Sequence, residues 1–351
     1  LKKIFKFDSN GLTTVIAMAQ IIKLLKISSK ARFAFVASLI LIVFACNKDR
    51  EQDREENLVI TSPAPLTDFG YGTFRGYTGG LYPNGSNIRP INHNSAGIAI
   101  AKSIKPLNIS GSTDESNGKI VWMSVGMSNT TQETSAFIPI AQAYSGKNQK
   151  LLLVDGAEGG QDIVKINLES APYWQTVNNR LTAAGVTALQ VQIIWYKEAE
   201  IAPRDTAFAT YPNSLKDKFA LSMQMLKSKF PNLKLVYLSS RTYAGWATGT
   251  LNPEPYAWYS GWAVKRLIED QINGVSSLNY TGAQPQSAWL SWGPYFWTEG
   301  TKPRDDGVTW GLSDYQTDGV HPSNSGRLKI ANMLFEFFST DPTSTPWFLK
   351  Q

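Results

Sequence analysis

Five short apolar runs, each followed by a helical pattern, constrain the fold of this chain more than any other feature of its sequence. The runs are residues 120–125, ending in Gly126, 151–154, ending in Asp155-Gly156, then 191–195, 233–238 and 288–292. None alternates cleanly between apolar and polar residues, which is how strands covered on both faces read. Helical patterns follow at 135–144, 171–184, 214–230, 259–272 and 323–338. In 214–230 the residues Leu215, Phe219, Met223, Leu226 and Phe230 fall on one stripe, and Pro231 stops it. Pro139 makes the first pattern the weakest of the set. Strand and helix in alternation predict an α/β domain over residues 119–351, with a parallel sheet and helices on both of its faces. In such sheets reactive groups collect at the carboxyl ends of the strands. Residues 62–118 are rich in Gly, Pro, Asn and Ser, and read as short strands and turns wrapped irregularly on that domain.

The N-terminus obeys other rules. The net charge of +6 suggests an anionic partner until it is divided along the chain. Seven of the 34 Lys and Arg (Lys2, Lys3, Lys6, Lys23, Lys26, Lys30, Arg32) and one of the 28 acids (Asp8) lie in residues 1–45. The remainder therefore carries 27 of each sign, with no basic excess for nucleic acid to bind. Residues 23–32 form a positive stretch, 34–45 an uncharged run of twelve, too short for a membrane span, and Cys46 closes it. Val43-Phe44-Ala45-Cys46 resembles the lipobox of bacterial lipoproteins, with Phe44 where a small residue is usual. That resemblance implies a signal peptide over 1–46, with Met18 a candidate start. It also implies lipidation at Cys46, export to the cell envelope and a membrane anchor. Residues 47–61 are then a charged tether with almost nothing apolar to bury. A single Cys excludes an intrachain disulfide, and with only His93 and His321 beside it a Cys/His zinc site has no ligand set.

Four pieces of chemistry stand at the ends of the apolar runs. After the first comes Gly126-Met127-Ser128-Asn129, where a serine is exposed as a helix begins. Alone, such a serine reads more readily as a helix cap. Before the last helix comes Asp318-Gly319-Val320-His321-Pro322. Imidazole is the base suited to a serine hydroxyl near neutral pH, and a carboxylate three residues earlier in a turn can reach its Nδ1–H; the piece alone reads equally as a loop histidine with a capping Asp. His93, in an Asn/Pro-rich loop, reads as surface or structural. After the second run, Gly159-Gly160 allows a backbone N–H to face a developing oxyanion. After the third, Trp195-Tyr196-Lys197-Glu198 offers a side-chain donor in Lys197, or a solvated ion pair.

In this order the four pieces resemble the SGNH-hydrolase superfamily, the GDSL-like esterases. The nearest branch is that of acetyl esterases, whose serine block reads Gly-x-Ser-Asn. The resemblance covers residues 120–338 and implies a three-layer α/β/α fold like flavodoxin and a triad of Ser128, His321 and Asp318, with no metal or organic cofactor. It implies an oxyanion hole from the N–H groups of Ser128 and Gly160 and a side chain of the third block. There the family has Asn, or Gln in a Trp-x-Gln-Gly-Glu segment, whereas this chain has Lys197.

The expectation is a secreted serine esterase removing acyl groups, of the O-acetyl type, from a carbohydrate. Seven tryptophans lie between Arg241 and Asp318, and flat rings stack on sugar faces. Trp297 and Trp310, among Gly, Pro and charged residues, are the candidates for such a platform, with Arg241 either orienting the substrate or bracing a loop; most of the other rings are expected in the core. The competing expectation is a carbohydrate-binding surface lipoprotein with the same fold and weak or absent catalysis. A lipase fits less well, because the rim segment is rich in Trp, Tyr and Gly rather than aliphatic residues.

Overall fold

A computed structural model describes residues 61–350. The leader, Cys46 and almost all of the tether lie outside the described residues. The wrap comes first: a two-residue hairpin of β1 (Thr73–Phe74) and β2 (Tyr77–Thr78), then helix α1 (Ile91–Lys102). The central strands are β3 (Ile120–Gly126), β4 (Leu151–Asp155), β5 (Val191–Lys197), β6 (Leu235–Leu238) and β7 (Trp289–Trp292). They form one parallel sheet in the order β4-β3-β5-β6-β7. This is the flavodoxin-like doubly wound order, with its switch point between β3 and β5.

Alternate side chains of each strand feed two separate cores, as the period of two requires. Val121, Met123 and Val125 of β3 join the core shared with α4 (Pro172–Ala183), α5 (Tyr211–Lys229) and α6 (Tyr256–Ile272). Ile120 and Trp122 join the other, shared with α2 (Ser128–Ala143) and α7 (Asn324–Thr340). The result is the three-layer α/β/α architecture the alternating pattern predicts. Short helices α3 (Ile163–Ile166) and α8 (Thr345–Phe348) complete the set.

Two elements differ from the sequence reading. Helix α1 stands where turns were expected, because tertiary packing overrides the poor helix formers Asn92, Asn94 and Gly97. Gly97 lies flat on the Trp289 ring, where any Cβ would collide, and His93 stacks on the same indole at 4.8 Å. His93 is buried, and its Nε2 meets the Leu290 carbonyl at 2.8 Å, so its role is structural. Helix α2 begins seven residues before the predicted start and runs through Pro139.

Candidate active site

The position of Ser128 follows from the end of β3. A Cβ at Gly126 would run into the Lys197 carbonyl and the Thr130 hydroxyl, so only glycine lets β3, β5 and the first turn of α2 meet. Met127 is extended (φ −87°, ψ −163°), and Ser128 opens the helix. At that position its N–H has no partner within the helix and stands at the positive end of the dipole.

His321 arrives from the far end of the chain. Helices α2 and α7 pack side by side in one core, with Phe137 and Phe338 5.7 Å apart. Ser323 caps α7 through the Gly326 N–H, and the turn before it is closed by the Gln316 N–H on the His321 carbonyl at 2.8 Å. The start of α2 and the turn before α7 thereby meet. Ser128 Oγ is 2.7 Å from His321 Nε2, and His321 Nδ1 is 2.5 Å from Asp318 Oδ2. Asp318 Oδ1 accepts the N–H groups of Val320 and His321, each at 2.9 Å. Partial burial pushes the Asp318 carboxyl up, but bonds from the His321 ring and these two N–H groups outweigh it and hold it below the ordinary carboxylate range. In this arrangement an ionised Asp318 can orient the imidazole with Nε2 turned toward the Ser128 hydroxyl.

On the opposite side of Ser128 runs the loop after β4. The Glu158 N–H donates to the Gly126 carbonyl at 2.9 Å, and Asp155 Oδ1 accepts the Ala157 N–H at 3.0 Å. A Cβ on Gly159 would lie 3.5 Å from the Ser128 Cβ, so this loop borders the hydroxyl. Gly160 follows at φ +73°, a left-handed conformation that favours glycine, and Lys165 Nζ fixes its carbonyl at 2.6 Å.

Lys197 does not serve as the side-chain donor expected of it. Its side chain is 1% exposed, and Nζ is held at 2.5 Å by Glu133 Oε1, equally buried. The Phe296 ring lies 5.4 Å from the same nitrogen. Burial pushes the lysine down to about 8 against the opposing pull of Glu133. Burial likewise raises Glu133, with Lys197 and Arg241 resisting. Glu198 makes no ion pair with Lys197 either: it is buried, held well above the ordinary range by desolvation, and bonded only to the Ala199 N–H at 3.1 Å. A reading of 135–144 as the first helix hides Glu133 and Asn129, since it leaves both in a loop. The signal that finds them is polar: 129, 130, 133, 134, 137 and 141 are the buried positions of α2 and hold a helical period.

Arg241, a candidate to orient substrate, is instead only 4% exposed, and its Nη1 lies 3.3 Å from Asn129 Oδ1. The two predicted platform tryptophans are corrected outright. Trp297 and Trp310 are each 1% exposed and bond inward, Trp297 Nε1 to Glu254 Oε1 at 2.7 Å and Trp310 Nε1 to the Phe296 carbonyl at 2.6 Å. Loop composition suggested exposure, but the loop folds back and uses both rings as anchors. Of the seven tryptophans between Arg241 and Asp318, only Trp246 is half-buried rather than buried. Its carbonyl lies against Gly319, its ring stands edge-on to Tyr243 at 5.7 Å, and the Thr248 N–H donates to the Asp318 carbonyl at 3.0 Å.

No protein-family model matches the sequence, and no curated protein does. Several solved structures show a remote likeness to it. One described as a GDSL-like lipase of Parabacteroides merdae is 14% identical over 62% of this chain and 95% of its own, with a TM-score of 0.39. An acylhydrolase structure from Bacteroides fragilis is 13% identical over 74% of this chain and 100% of its own, at 0.38. A GDSL-like lipase structure from Bacteroides thetaiotaomicron is 12% identical over 70% and 95%, at 0.36. Likenesses this remote decide nothing about chemistry, which has to come from the side chains themselves.

Proposed function

We propose that the protein is a serine esterase that removes O-acyl groups, of the O-acetyl type, from a carbohydrate. The observation that carries this is the row Ser128 Oγ, His321 Nε2, His321 Nδ1 and Asp318 Oδ2, with contacts of 2.7 and 2.5 Å. His321 takes the Ser128 proton as the oxygen attacks the ester carbonyl, and returns it to the leaving alcohol. Water then repeats the sequence on the acyl-enzyme and frees the acid. On this reading the N–H groups of Ser128 and Gly160 hold the developing oxyanion, and the closeness of Gly159 to Ser128 supports a role for that loop. The sugar reading rests on Trp246 and Tyr243, which offer a partly open aromatic ledge next to the Asp318 turn, where the alcohol half of the ester leaves. Export and anchoring through a lipid on Cys46 complete the proposal; a radiolabelled fatty acid should enter the full-length chain made in a bacterium and fail to enter a Cys46→Ala chain.

A second reading has one observation in its favour. With Lys197 engaged by Glu133, the third oxyanion donor is missing, and one such donor is typically worth about 10²–10³ in rate. The fold would then serve mainly to bind acylated sugar. A fluorophosphonate probe separates the two: covalent labelling at Ser128 with turnover of an acetylated glycoside supports the esterase, and an unlabelled serine leaves the binding protein.

A further inference from the structure

Two side-chain links besides the Ser128–His321 bond join helix α2 to the turn that carries the base. One is exposed and long, from Gln316 Nε2 to Gln132 Oε1 at 3.3 Å. The other is buried: Asn129 Nδ2 donates to the Val320 carbonyl at 2.9 Å, with Asn129 2% and Val320 3% exposed. Asn129 directly follows the serine, and Val320 directly precedes the histidine. The Val320–His321 peptide is thus gripped on both edges, its carbonyl by Asn129 and its N–H by Asp318 Oδ1 at 2.9 Å. A planar peptide held on both edges cannot rotate, and it fixes the direction in which the His321 Cα projects its ring.

The amide of Asn129 is itself held. Its oxygen faces the Arg241 guanidinium at 3.3 Å, which leaves only its NH₂ to meet the Val320 carbonyl. Arg241 is a buried cation, and none of the ion pairs among the described residues includes it. Glu133 and Glu198 act on it only as more distant charges. Its backbone N–H is pinned by Ser260 Oγ at 2.9 Å. A buried arginine without an ion pair is costly, and among the described residues its guanidinium bonds to one partner, the amide that clasps the base.

We infer that Asn129 is a positioning residue. Its amide, oriented by Arg241, sets the register between the Ser128 hydroxyl and the His321 ring. This rests on the esterase reading for its kinetic consequence but not for its geometry. Asn129→Asp keeps the acceptor toward Arg241, removes the donor and sets a carboxylate against the Val320 carbonyl. Asn129→Ala removes both bonds. Both variants should lower kcat by about 10²-fold while KM stays within about twofold, the signature of a misplaced base rather than weakened binding. Gln132→Ala, which cuts the exposed link, should leave kcat within about twofold. The second readout needs no substrate: the low-field proton resonance of the His321 Nδ1–H should be sharp in the parent and in Gln132→Ala, and broadened or lost in both Asn129 variants. If folded Asn129→Asp keeps the parent's resonance, the clasp is refuted whether or not the protein is an esterase. If the resonance is lost but kcat holds in an active enzyme, the register it sets has no catalytic weight, and the inference falls on that side. Inactivity of the parent with an intact resonance effect would overturn the esterase reading alone.

Discussion

Two charged constellations share helix α2 and differ chiefly in depth. The outer one, Ser128 with His321 and Asp318, is partly open, with side-chain exposures of 20% for the histidine and 41% for the aspartate. Each of its polar side chains is bonded within the row. The inner one joins Glu133, Lys197, Glu198 and Arg241; Glu133 Oε2 and Glu198 Oε1 are buried there without a partner. A group that passes a proton to substrate and water has to stay in contact with both. Groups shut away from water carry a desolvation cost, and their charges serve to fix neighbours rather than to react. Position in the sequence would have assigned Lys197 to the outer set, and burial assigns it to the inner one.

The sharpest way to break this division is at Ser128. Ser128→Ala should reduce acetyl-ester turnover by at least about 10⁴-fold while thermal unfolding scarcely moves; equal turnover in the variant would remove the outer set's claim to reactivity. Asp318→Asn comes next, with a loss of about 10²–10⁴ in kcat as the imidazole loses its orienting partner. The same residue gives a pH test. Because its folded carboxyl is held low, the unfolded chain takes up the proton first, so this group stabilises the fold above about pH 4 and stops doing so as the pH falls through its folded value. Urea titrations at neutral and acid pH should show that loss in the parent and not in Asp318→Asn.

The inner set should answer in stability instead. Lys197→Met leaves a buried Glu133 charge unpaired and should cost about 3–5 kcal/mol in denaturant unfolding, most of it regained in the double variant with Glu133→Leu. Folded Lys197→Met should keep kcat within about twofold; a fall of 10²-fold in both variants would return the lysine to the oxyanion. The smallest effect is expected at the rim. Trp246→Ala should raise KM for an acetylated glycoside by about 2–10-fold, the worth of one ring contact, and leave KM for a ring-free acetate ester unchanged. Equal KM values on both esters would withdraw the sugar ledge.

Much of this architecture is legible in the sequence, and the illegible parts have a common cause. The five central strands read as apolar blocks because both faces of the sheet are covered, and the observed bounds of all five lie within two residues of the predicted runs. Ser128, Asp318 and His321 stand out only together, through the order of motifs that resembles the SGNH hydrolases, since each alone also reads as an ordinary cap or turn residue. The first two turns of α2 do not stand out, because the face they bury is Asn129, Thr130, Glu133 and Thr134, invisible to a search for apolar stripes. Helix α1 owes its existence to the Trp289 ring far along the chain. Lys197, Trp297 and Trp310 were misplaced for the same reason. Their burial is decided by Glu133, Glu254 and Phe296, partners that no local window around each residue contains.

The hydroxyl and its base stand 193 residues apart in the chain. During synthesis the serine emerges first and waits for the histidine, about 10–40 s at ordinary ribosomal speed. Throughout that interval it is an ordinary alcohol with no base beside it. Any polypeptide cut short before residue 321 stays that way, so on the esterase reading proposed above hydrolytic power would arise only once the chain has folded back past that residue.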